Sequence, residues 1–307
     1  MKPFLVIGPL LLDVTVPLRT RHGVAAVLPR VHIGGKGFNI SNVLAMLNVP
    51  VVLSTAYGQD QIGKFIQRRL GRMRIGNPKS NIVKWPTGIF VGVINDVGDT
   101  IYDKADTSIY RHQNVPQPDW RTISTVIVLS SSRLEIFQRL RAVKKRWPHL
   151  IFCLEVSGST WLDGAVPFFG MFDFFICNEK EASALAVRLH AGQSIRQLIR
   201  HLHLRGVRQI FITQGKRGMT YGHTDGHGLV IRHASIHREP GRFVSTIGAG
   251  DTTTATLCAG LYRYQLPVQM AVGVAMKMAA YTLRQASPYV ASVPRHIRTQ
   301  LFKGVEK

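Results

Sequence analysis

The 307-residue sequence predicts an α/β fold built on a mostly parallel, doubly wound sheet, and three observations support this class. Short apolar runs alternate with longer helical patterns, which is the arrangement of βαβ units. The composition, with 45% hydrophobic and 18% charged residues, is that of an ordinary globular protein with a substantial core. Two regions, Val14–Ile33 and Thr87–His112, lack helical periodicity and indicate strands of a smaller accessory sheet.

The predicted elements follow one another without a low-complexity linker or an internal repeat, which indicates a single domain over residues 1–307. Helices are assigned where apolar residues recur every three or four positions. The predicted strands are Phe4–Ile7, Val51–Ala56, Val126–Leu129, Ile151–Val156, Phe174–Cys177 and Gln209–Thr213. The predicted helices are Asn39–Leu47, Ile62–Leu70, Leu134–Arg146, Glu179–Leu189, Ser194–Arg205, Thr252–Tyr264 and Val268–Gln285.

The chain is strongly basic, with 39 Lys and Arg residues against 17 Asp and Glu residues and a formal net charge of +22. Such an excess attracts polyanions in general, whether nucleic acid, anionic lipid or phosphorylated metabolites. The cations are scattered in short clusters, such as Lys144–Arg146, rather than gathered in one long block. We therefore expect a solvated basic surface with at most non-specific nucleic-acid binding.

The cysteines and the apolar runs bear on the cellular location. Cys153, Cys177 and Cys258 are odd in number and widely spaced, which matches neither a disulfide framework nor a zinc site. A reducing, cytoplasmic location is therefore expected. Asp13 interrupts the first apolar stretch, and no run of about 18 apolar residues occurs, so neither a signal peptide nor a membrane span is expected.

A glycine-rich segment, Ser245–Asp251, directly precedes a predicted helix. Glycines allow backbone amides to approach a ligand closely, and the first amides of a helix are free donors that favour negative charge. The amides of Gly248, Ala249 and Gly250 could hold a phosphate, and Asp251 could accept a proton from a hydroxyl. Taken alone, the segment is better explained by a plain glycine turn with Asp251 as the helix cap.

A second segment, Gly34–Asn39, places three glycines in four residues before another predicted helix. Lys36 and Asn39 offer donors that suit sugar hydroxyls or phosphate. The spacing is not that of a P-loop. The alternative is a tight strand-to-helix turn with Asn39 near the cap.

Two further segments follow predicted strands directly. Glu181, three residues after Asn178, could orient hydrated Mg²⁺ at the carboxyl edge of a parallel sheet. It could equally stabilise the first turn of a helix. The turn Thr213–Gly218 could line a nucleotide pocket, or could simply connect two strands of a hairpin.

Together, and in this order, the segments resemble the motifs of the ribokinase-like (PfkB) carbohydrate kinase family over nearly the whole chain, from about residue 4 to residue 294. Four matches carry the resemblance: Gly34–Asn39 with GGKGxN, Asn178 and Glu181 with NxxE, Thr213, Gly215 and Gly218 with TxGxxG, and Ser245–Asp251 with DTxGAGD. A Rossmann dehydrogenase is disfavoured, because no GxGxxG follows the first strand.

The resemblance implies a three-layer α/β/α sandwich with a small β-sheet lid, and a homodimer formed through that lid. It also implies a kinase that uses ATP and Mg²⁺ to phosphorylate a hydroxymethyl or hydroxyl group of a sugar or a ribose-containing nucleoside. The implied residues are Asp251, Gly248, Ala249 and Gly250 for catalysis, Asp13, Gly35, Lys36 and Asn39 for the substrate, Asn178, Thr213, Gly215, Gly218, Met276 and Ala280 for the nucleotide, and Glu181 for the metal through water.

The sequence departs from the family pattern in ways that leave the acceptor open. Ser245 replaces the first Asp of DTxGAGD, so little or no stimulation by K⁺ is expected. The stretch Glu155–Gly158 replaces a DxNxR-like motif. A sugar-phosphate kinase is a close alternative, compatible with Lys36, Ser245 and the surplus of cations. A non-catalytic nucleic-acid-binding regulator on the same fold is a third reading, and the intact Asp251 argues against it.

Overall fold

The computed structural model describes residues 2–21, 24–27, 29–76, 81–95, 100–158, 162–236, 244, 247–285 and 292–302. Ser245 and Thr246 of the glycine-rich segment lie outside these residues. The chain falls into two compact units. The first unit comprises residues 1–7 and 115–238, and the second comprises residues 8–114 and 239–307. The single kinase domain over 1–307 stays a prediction.

The secondary structure alternates between strands and helices, as predicted. The strands are β1 Phe4–Ile7, β2 Leu11–Arg21, β3 Val24–Val27, β4 Arg30–Gly34, β5 Val51–Ser54, β6 Tyr57–Gly58, β7 Ile75–Gly76, β8 Ile82–Val83, β9 Ile89–Ile94, β10 Thr100–Ala105, β11 Thr125–Leu129, β12 Ile151–Glu155, β13 Phe174–Asn178, β14 Gln209–Thr213, β15 Met219–Asp225 and β16 Gly228–Ala234. The α-helices are α1 Lys36–Met46, α2 Gln61–Leu70, α3 Leu134–Arg146, α4 Leu162–Ala165, α5 Glu179–Arg188, α6 Ile195–Leu204, α7 Ala249–Cys258, α8 Val268–Thr282 and α9 Arg295–Phe302.

The first unit is organised around seven strands in the order β16-β15-β14-β13-β12-β11-β1. The strands from β1 to β14 in this order pair in parallel, and only β15 and β16 run antiparallel to their neighbours. Every residue of β11 is buried. Parallel strands are covered on both faces and therefore read as continuous apolar runs. The predicted α/β class with a mostly parallel sheet is confirmed.

Aromatic side chains fill much of the core of this unit. Phe152, Phe174, Phe175 and Phe211 are each less than 2% exposed. The rings of Phe174 and Phe211, on neighbouring strands, lie 4.9 Å apart between centroids. Buried rings remove a large apolar area from water, and contacts at this spacing add to that gain. The strands that carry the nucleotide-binding candidates are therefore rigidly packed.

The second unit contains the predicted accessory sheet. Its strands follow the order β10-β9-β2-β3, with β4 also paired to β2. Strand β2 runs parallel to β9 and antiparallel to β4. Short parallel pairs, β5 with β7 and β6 with β8, belong to the same unit. The two regions predicted to depart from the helical rhythm thus supply the strands of one small sheet.

Helix boundaries differ from the sequence prediction where glycines begin a helix. Helix α1 starts at Lys36 rather than Asn39, and α7 starts at Ala249 rather than Thr252. Helix α7 also ends early, because a π-helical turn, Ala259–Arg263, replaces its predicted last turn. No helix in the described ranges is long and apolar enough to cross a membrane.

Asp60 joins helix α2 to the chain that leads into the accessory sheet. Its Oδ1 accepts hydrogen bonds from the Gly63 amide and the Thr87 hydroxyl, both at 2.7 Å. Its Oδ2 accepts from the Thr87 amide at 2.6 Å. The Thr87 hydroxyl in turn accepts from the Gly58 amide at 2.9 Å. One carboxylate therefore caps α2 and orders the start of β9.

We expect Asp60→Ala to lower the free energy of unfolding by about 2–3 kcal/mol, because a helix cap and further charge-assisted bonds are lost together. Urea unfolding of the two proteins measures the difference. Asp119→Ala is the matched control, since Asp119 pairs only with the neighbouring, exposed Arg121, and it should leave the midpoint nearly unchanged. Equal effects of the two substitutions would contradict this role of Asp60.

Candidate active site

The substrate and catalytic candidates of the second unit converge on one buried position. Asp13 lies on β2, Lys36 and Asn39 lie in the first turn of α1, and Asp251 lies in the first turn of α7. Asp13, Asn39 and Asp251 are 3%, 3% and 5% exposed. Asp251 is more than 200 residues away from the other three in sequence, so the fold creates the cluster.

Asp251 is held from two sides by α1. The Asn39 amide donates a 2.7 Å hydrogen bond to Oδ2. The Lys36 ammonium lies 3.7 Å from Oδ1. Burial raises the pKa of the Asp251 carboxyl, and the charge of Lys36 and the bond from Asn39 oppose that shift. Oδ2 makes the shorter of these two contacts, so Oδ1 is the less engaged oxygen, and each oxygen keeps a lone pair that could accept a proton.

Asp13 is the second carboxylate of the cluster, and its surroundings favour the neutral form. Burial, and then the negative charge of Asp251, raise its pKa to about 7, while a bond from the Gly35 amide acts in the opposite direction. A Cβ added at Gly34 would stand 1.8 Å from Asp13 Oδ2. Gly34 is therefore required for the close approach of β4 to this carboxylate.

Two polar atoms of this cluster have no hydrogen-bond partner among the residues that the structure describes. They are Oδ1 of Asp13 and Oδ1 of Asn39, and both are buried. Buried polar atoms are normally paired, and an exception calls for a specific explanation. Both lie on side chains that contact or influence Asp251. Each can accept a hydrogen bond from a hydroxyl group of a ligand.

Helix α7 begins with its amides uncapped. Gly248, the residue before the helix, has a φ of 84°, a left-handed conformation that suits glycine. No described side chain caps this end. A Cβ added at Gly250 would meet no atom within 4 Å. The first turn, Ala249–Asp251, therefore presents amide donors beside open space, the arrangement that binds anions at helix N-termini.

Strand β4 contributes an arginine and a histidine that the sequence did not single out. His32 pairs with Asp13 and Arg30 pairs with Thr15 in the antiparallel register of β2 and β4. Directly opposed residues project from the same face of a sheet. Burial and the charge of Arg30 lower the pKa of His32. These residues are identified by the register of β2 and β4, which cannot be predicted from the sequence pattern alone.

The nucleotide candidates of the second unit lie on α8. Met276 and Ala280 are half-buried and four residues apart, so they share one face of the helix. Helix α8 is tied to α7 by a 3.0 Å bond from the Thr282 hydroxyl to that of Thr252. Both threonines are fully buried. The helix that carries these residues is thus fixed to the helix that carries Asp251.

The remaining candidates lie at the carboxyl ends of two adjacent strands of the first unit. Asn178 ends β13, Thr213 ends β14, and the two residues are paired in register. The Asn178 side chain caps α5, because its Oδ1 accepts a 2.9 Å bond from the Glu181 backbone amide. In return, Glu181 Oε2 accepts a 2.9 Å bond from the Asn178 backbone amide. Glu181 Oε1 accepts from the Gly158 amide at 3.0 Å. The helix-stabilising role considered for Glu181 is therefore present in the structure.

The glycine turn after β14 is compact. A short 3₁₀ turn spans Gly215–Arg217, and the backbone amide of Gln214 donates a 2.8 Å bond to the Gly218 carbonyl. A Cβ at Gly218 would stand 2.0 Å from the carbonyl oxygen of Ala234. Gly218 is needed for this packing whether or not a nucleotide binds. A Cβ at Gly215 would meet nothing within 4 Å, so space is open beside the turn.

The predicted site residues thus form two clusters, one in each unit. The second unit brings together Asp13, Gly35, Lys36, Asn39, Gly248, Ala249, Gly250 and Asp251, with Met276 and Ala280 on the adjoining helix. The first unit brings together Asn178, Glu181, Thr213, Gly215 and Gly218.

We expect Asp13→Asn to stabilise the protein progressively as the pH rises. The pKa of Asp13 is about 3.8 in the unfolded chain and about 7 in the folded protein. The favourable contribution of Asp13 to the free energy of unfolding is therefore complete below the unfolded pKa, and it is lost as the pH rises through the folded pKa. The neutral amide avoids that loss. The unfolding free energy of Asp13→Asn relative to wild type should increase by about 2 kcal/mol between pH 5 and pH 8.

Chemical unfolding at a series of pH values measures this difference. Asp119→Asn serves as the control, because hydrogen bonds from Arg121 lower the pKa of Asp119 and its relative stability should be constant above pH 5. A difference between Asp13→Asn and wild type that does not change with pH would show that Asp13 titrates normally.

Comparison with solved structures supports the fold over the whole chain. Ribokinase from Giardia lamblia is 18% identical, with a TM-score of 0.81 over 100% of this chain and 99% of that one. Ribokinase from Arabidopsis thaliana, solved with ribose and ATP, is 21% identical, with a TM-score of 0.74 over 100% and 99%. Ribokinase from Thermotoga maritima is 17% identical, with a TM-score of 0.73 over 100% of both chains.

At the level of sequence, residues 15–295 match the profile of the pfkB family carbohydrate kinases. This match covers most of the 307 residues and includes every motif described above except Asp13. The predicted ribokinase-like fold is confirmed by the structural comparisons. The chain belongs to the PfkB family of carbohydrate kinases.

Proposed function

We propose that this protein is an ATP-dependent kinase that phosphorylates a hydroxymethyl or hydroxyl group of a sugar or of a ribose-containing nucleoside. The observation that carries the proposal is Asp251, a buried carboxylate at the uncapped N-terminus of α7. A base and a set of anion-binding amides occupy one helical turn. This combination serves phosphoryl transfer, which requires positioning of the nucleophile and stabilisation of charge.

In the proposed reaction, Asp251 Oδ1 accepts the proton of the acceptor hydroxyl. The oxygen of that hydroxyl forms a bond to the γ-phosphorus of ATP, the bond to the bridging β,γ-oxygen breaks, and ADP leaves. The amides of Gly248, Ala249 and Gly250 donate to the phosphoryl oxygens as charge develops. Asn39 holds Asp251 in place through its 2.7 Å bond to Oδ2.

The acceptor is proposed to be bound by the buried oxygens that lack a protein partner. Oδ1 of Asp13 and Oδ1 of Asn39 would each accept a bond from a hydroxyl of the substrate. Lys36 and the Gly35 backbone supply donors at the start of α1. A polyhydroxylated ring meets these requirements, because it offers both donors and acceptors at fixed spacing.

Nucleotide binding is assigned to Asn178, Thr213, Gly215, Gly218, Met276 and Ala280. Support comes from the family match, from the ordered strand ends that carry the first four, and from a structural neighbour that was solved with ribose and ATP.

Mg²⁺, when bound, would neutralise charge on the phosphates. Glu181 fits a contact to it through water, since each of its oxygens accepts one amide bond and keeps a further lone pair. Little or no stimulation by K⁺ is proposed, because Ser245 replaces a carboxylate of the family motif.

A sugar-phosphate kinase is the second candidate, and one observation favours it. Arg30 and His32 lie opposite Thr15 and Asp13 on the same face of the accessory sheet. The permanent positive charge of Arg30 beside the acceptor site suits a substrate that already carries a phosphate. Rates with a free sugar, a nucleoside and a sugar phosphate, compared in the wild-type protein, distinguish the two candidates.

The accessory sheet is also the proposed dimer surface. Val31, Val91, Ile101 and Tyr102 on β4, β9 and β10 are large apolar side chains that are 36–57% exposed. Contiguous exposed apolar side chains are typical of protein interfaces.

Binding of nucleic acid is proposed to be non-specific at most. The proposed location is cytoplasmic, which the three buried free cysteines fit.

We expect Asp251→Asn to reduce the rate of phosphoryl transfer by about 10²–10⁴-fold, because the proton acceptor is lost while the shape is kept. The affinity for a non-hydrolysable ATP analogue should change little. Steady-state assays and calorimetry measure the two quantities. Asp119→Asn, far from the proposed chemistry in sequence and exposed, should retain full activity. Near wild-type turnover of Asp251→Asn would exclude Asp251 as the base.

We expect Gly250→Val to reduce turnover strongly without unfolding the protein. The Cβ at Gly250 meets open space, so the fold tolerates it, but a branched side chain would fill the space that the phosphate needs. Gly226→Val is a matched control, because a Cβ at Gly226 also meets nothing within 4 Å and this residue lies in the β15–β16 turn. Unchanged turnover with Gly250→Val, at a normal melting temperature, would place the anion-binding amides elsewhere.

A further inference from the structure

An open pocket of about 670 Å³ lies in the first unit beside the ends of β14 and β16 and the start of α6. This volume is within the range of small-molecule sites. Such sites are usually lined by apolar side chains, but eight of the ten residues that line this pocket are polar. The pocket therefore offers an occupant several charged and hydrogen-bonding side chains.

The pocket lies on the α6 side of the sheet. A Cβ added at Gly222 of β15 would stand 2.4 Å from Cγ2 of Ile199 on α6. Thr220 is two residues earlier on the same strand and therefore projects from the same face. His233 of β16 pairs with Thr220 in register and shares that face. Both side chains line the pocket.

A chain of hydrogen bonds orders the floor of the pocket. The buried Thr220 hydroxyl donates to Gln214 Oε1 at 2.6 Å, and the Gln214 amide donates to Glu179 Oε1 at 3.3 Å. His233 Nδ1 lies 3.0 Å from the Thr220 oxygen. The single hydroxyl proton is used toward Gln214, so the ring must donate from Nδ1. The orientation of His233 in the pocket wall is therefore fixed.

The charge around the pocket is positive. Arg196, Lys216 and Arg217 line it, and Glu179, which pairs with Arg217, is the one carboxylate in the described hydrogen-bond chain. Three positive charges and one negative charge leave a surplus of two. Arg196 belongs to the first turn of α6, where backbone amides add to the attraction for an anion. The hydroxyls of Ser194 and Ser235 provide further donors.

We propose that this pocket is a binding site for a small phosphate-bearing anion, separate from the proposed nucleotide contacts. Arginine and lysine side chains around an ordered polar floor match the charge and the hydrogen-bonding capacity of phosphate groups. One turn carries both sets of residues. It lines the pocket with Gln214, Lys216 and Arg217, and its Thr213, Gly215 and Gly218 are proposed nucleotide contacts. The same turn would therefore contact both ligands. An anion in the pocket would therefore change the affinity for the nucleotide, and the nucleotide would change the affinity for the anion by the same factor.

The test measures binding of inorganic pyrophosphate to the full chain by calorimetry, without metal, in the absence and presence of a saturating non-hydrolysable ATP analogue. The test variant is Arg196→Gln with His233→Asn. The control is Arg139→Gln with His149→Asn, which removes the same residue types from exposed positions in and just after α3. Arg196→Gln alone is the second variant, because its exposed side chain has no described role in the fold.

Wild type and control should bind pyrophosphate with equal affinity, and both test variants should bind at least about tenfold more weakly, since charge-assisted bonds are lost. Binding should persist, with altered affinity, when the ATP analogue is present. Absence of binding to wild type, equal binding by the test variants, or complete competition by the analogue would each overturn the proposal. Pyrophosphate binding is measured independently of phosphoryl transfer, so failure here and failure of the kinase assignment are distinguishable.

Discussion

Two like-charged carboxylates, Asp13 and Asp251, are buried in the same unit, and the local structure is arranged around this conflict. Placing two negative charges together away from water is unfavourable unless one is neutral or both are compensated. Asn39 and Lys36 compensate Asp251, whereas burial and the charge of Asp251 raise the pKa of Asp13 to about 7. Near neutral pH the Asp13 carboxyl therefore carries only part of a negative charge.

The two glycine-rich segments are about 200 residues apart in sequence, and they meet at the Asp251 carboxylate. The start of α1 supplies the donors, and the start of α7 supplies the carboxylate that they hold. Gly34 allows β4 to pass close to Asp13, and Gly248 turns the chain into α7. A side chain at Gly34 would displace the Asp13 carboxylate, whose pKa responds to the charge of Asp251. The glycines thus serve the placement of charge as well as the approach of a ligand.

Much of the sheet and of the site could be predicted because their signals are local. Apolar runs gave the bounds of β1 and β14, and the spacing of apolar residues gave those of α3. The predicted starts of α1 and α7 are three residues too late, because both helices begin inside their glycine-rich segments. Three features depend instead on strand register and long-range pairing. They are the positions of Arg30 and His32 near Asp13, the bonds from Thr87 to Asp60, and the pocket beside α6. Such pairing is fixed by tertiary packing, and no local pattern reports it.

The state of Asp13 has a consequence for the proposed reaction. Asp251 must be ionised to accept a proton, and a neutral Asp13 makes that ionisation easier because it removes a nearby negative charge. A substrate hydroxyl that donates to Oδ1 of Asp13 would favour the ionised form of Asp13 instead. Substrate binding and the protonation of the pair are therefore linked. The positive charge of Lys36, close to Asp251 Oδ1, limits the rise in the pKa of Asp251 when both carboxylates are charged.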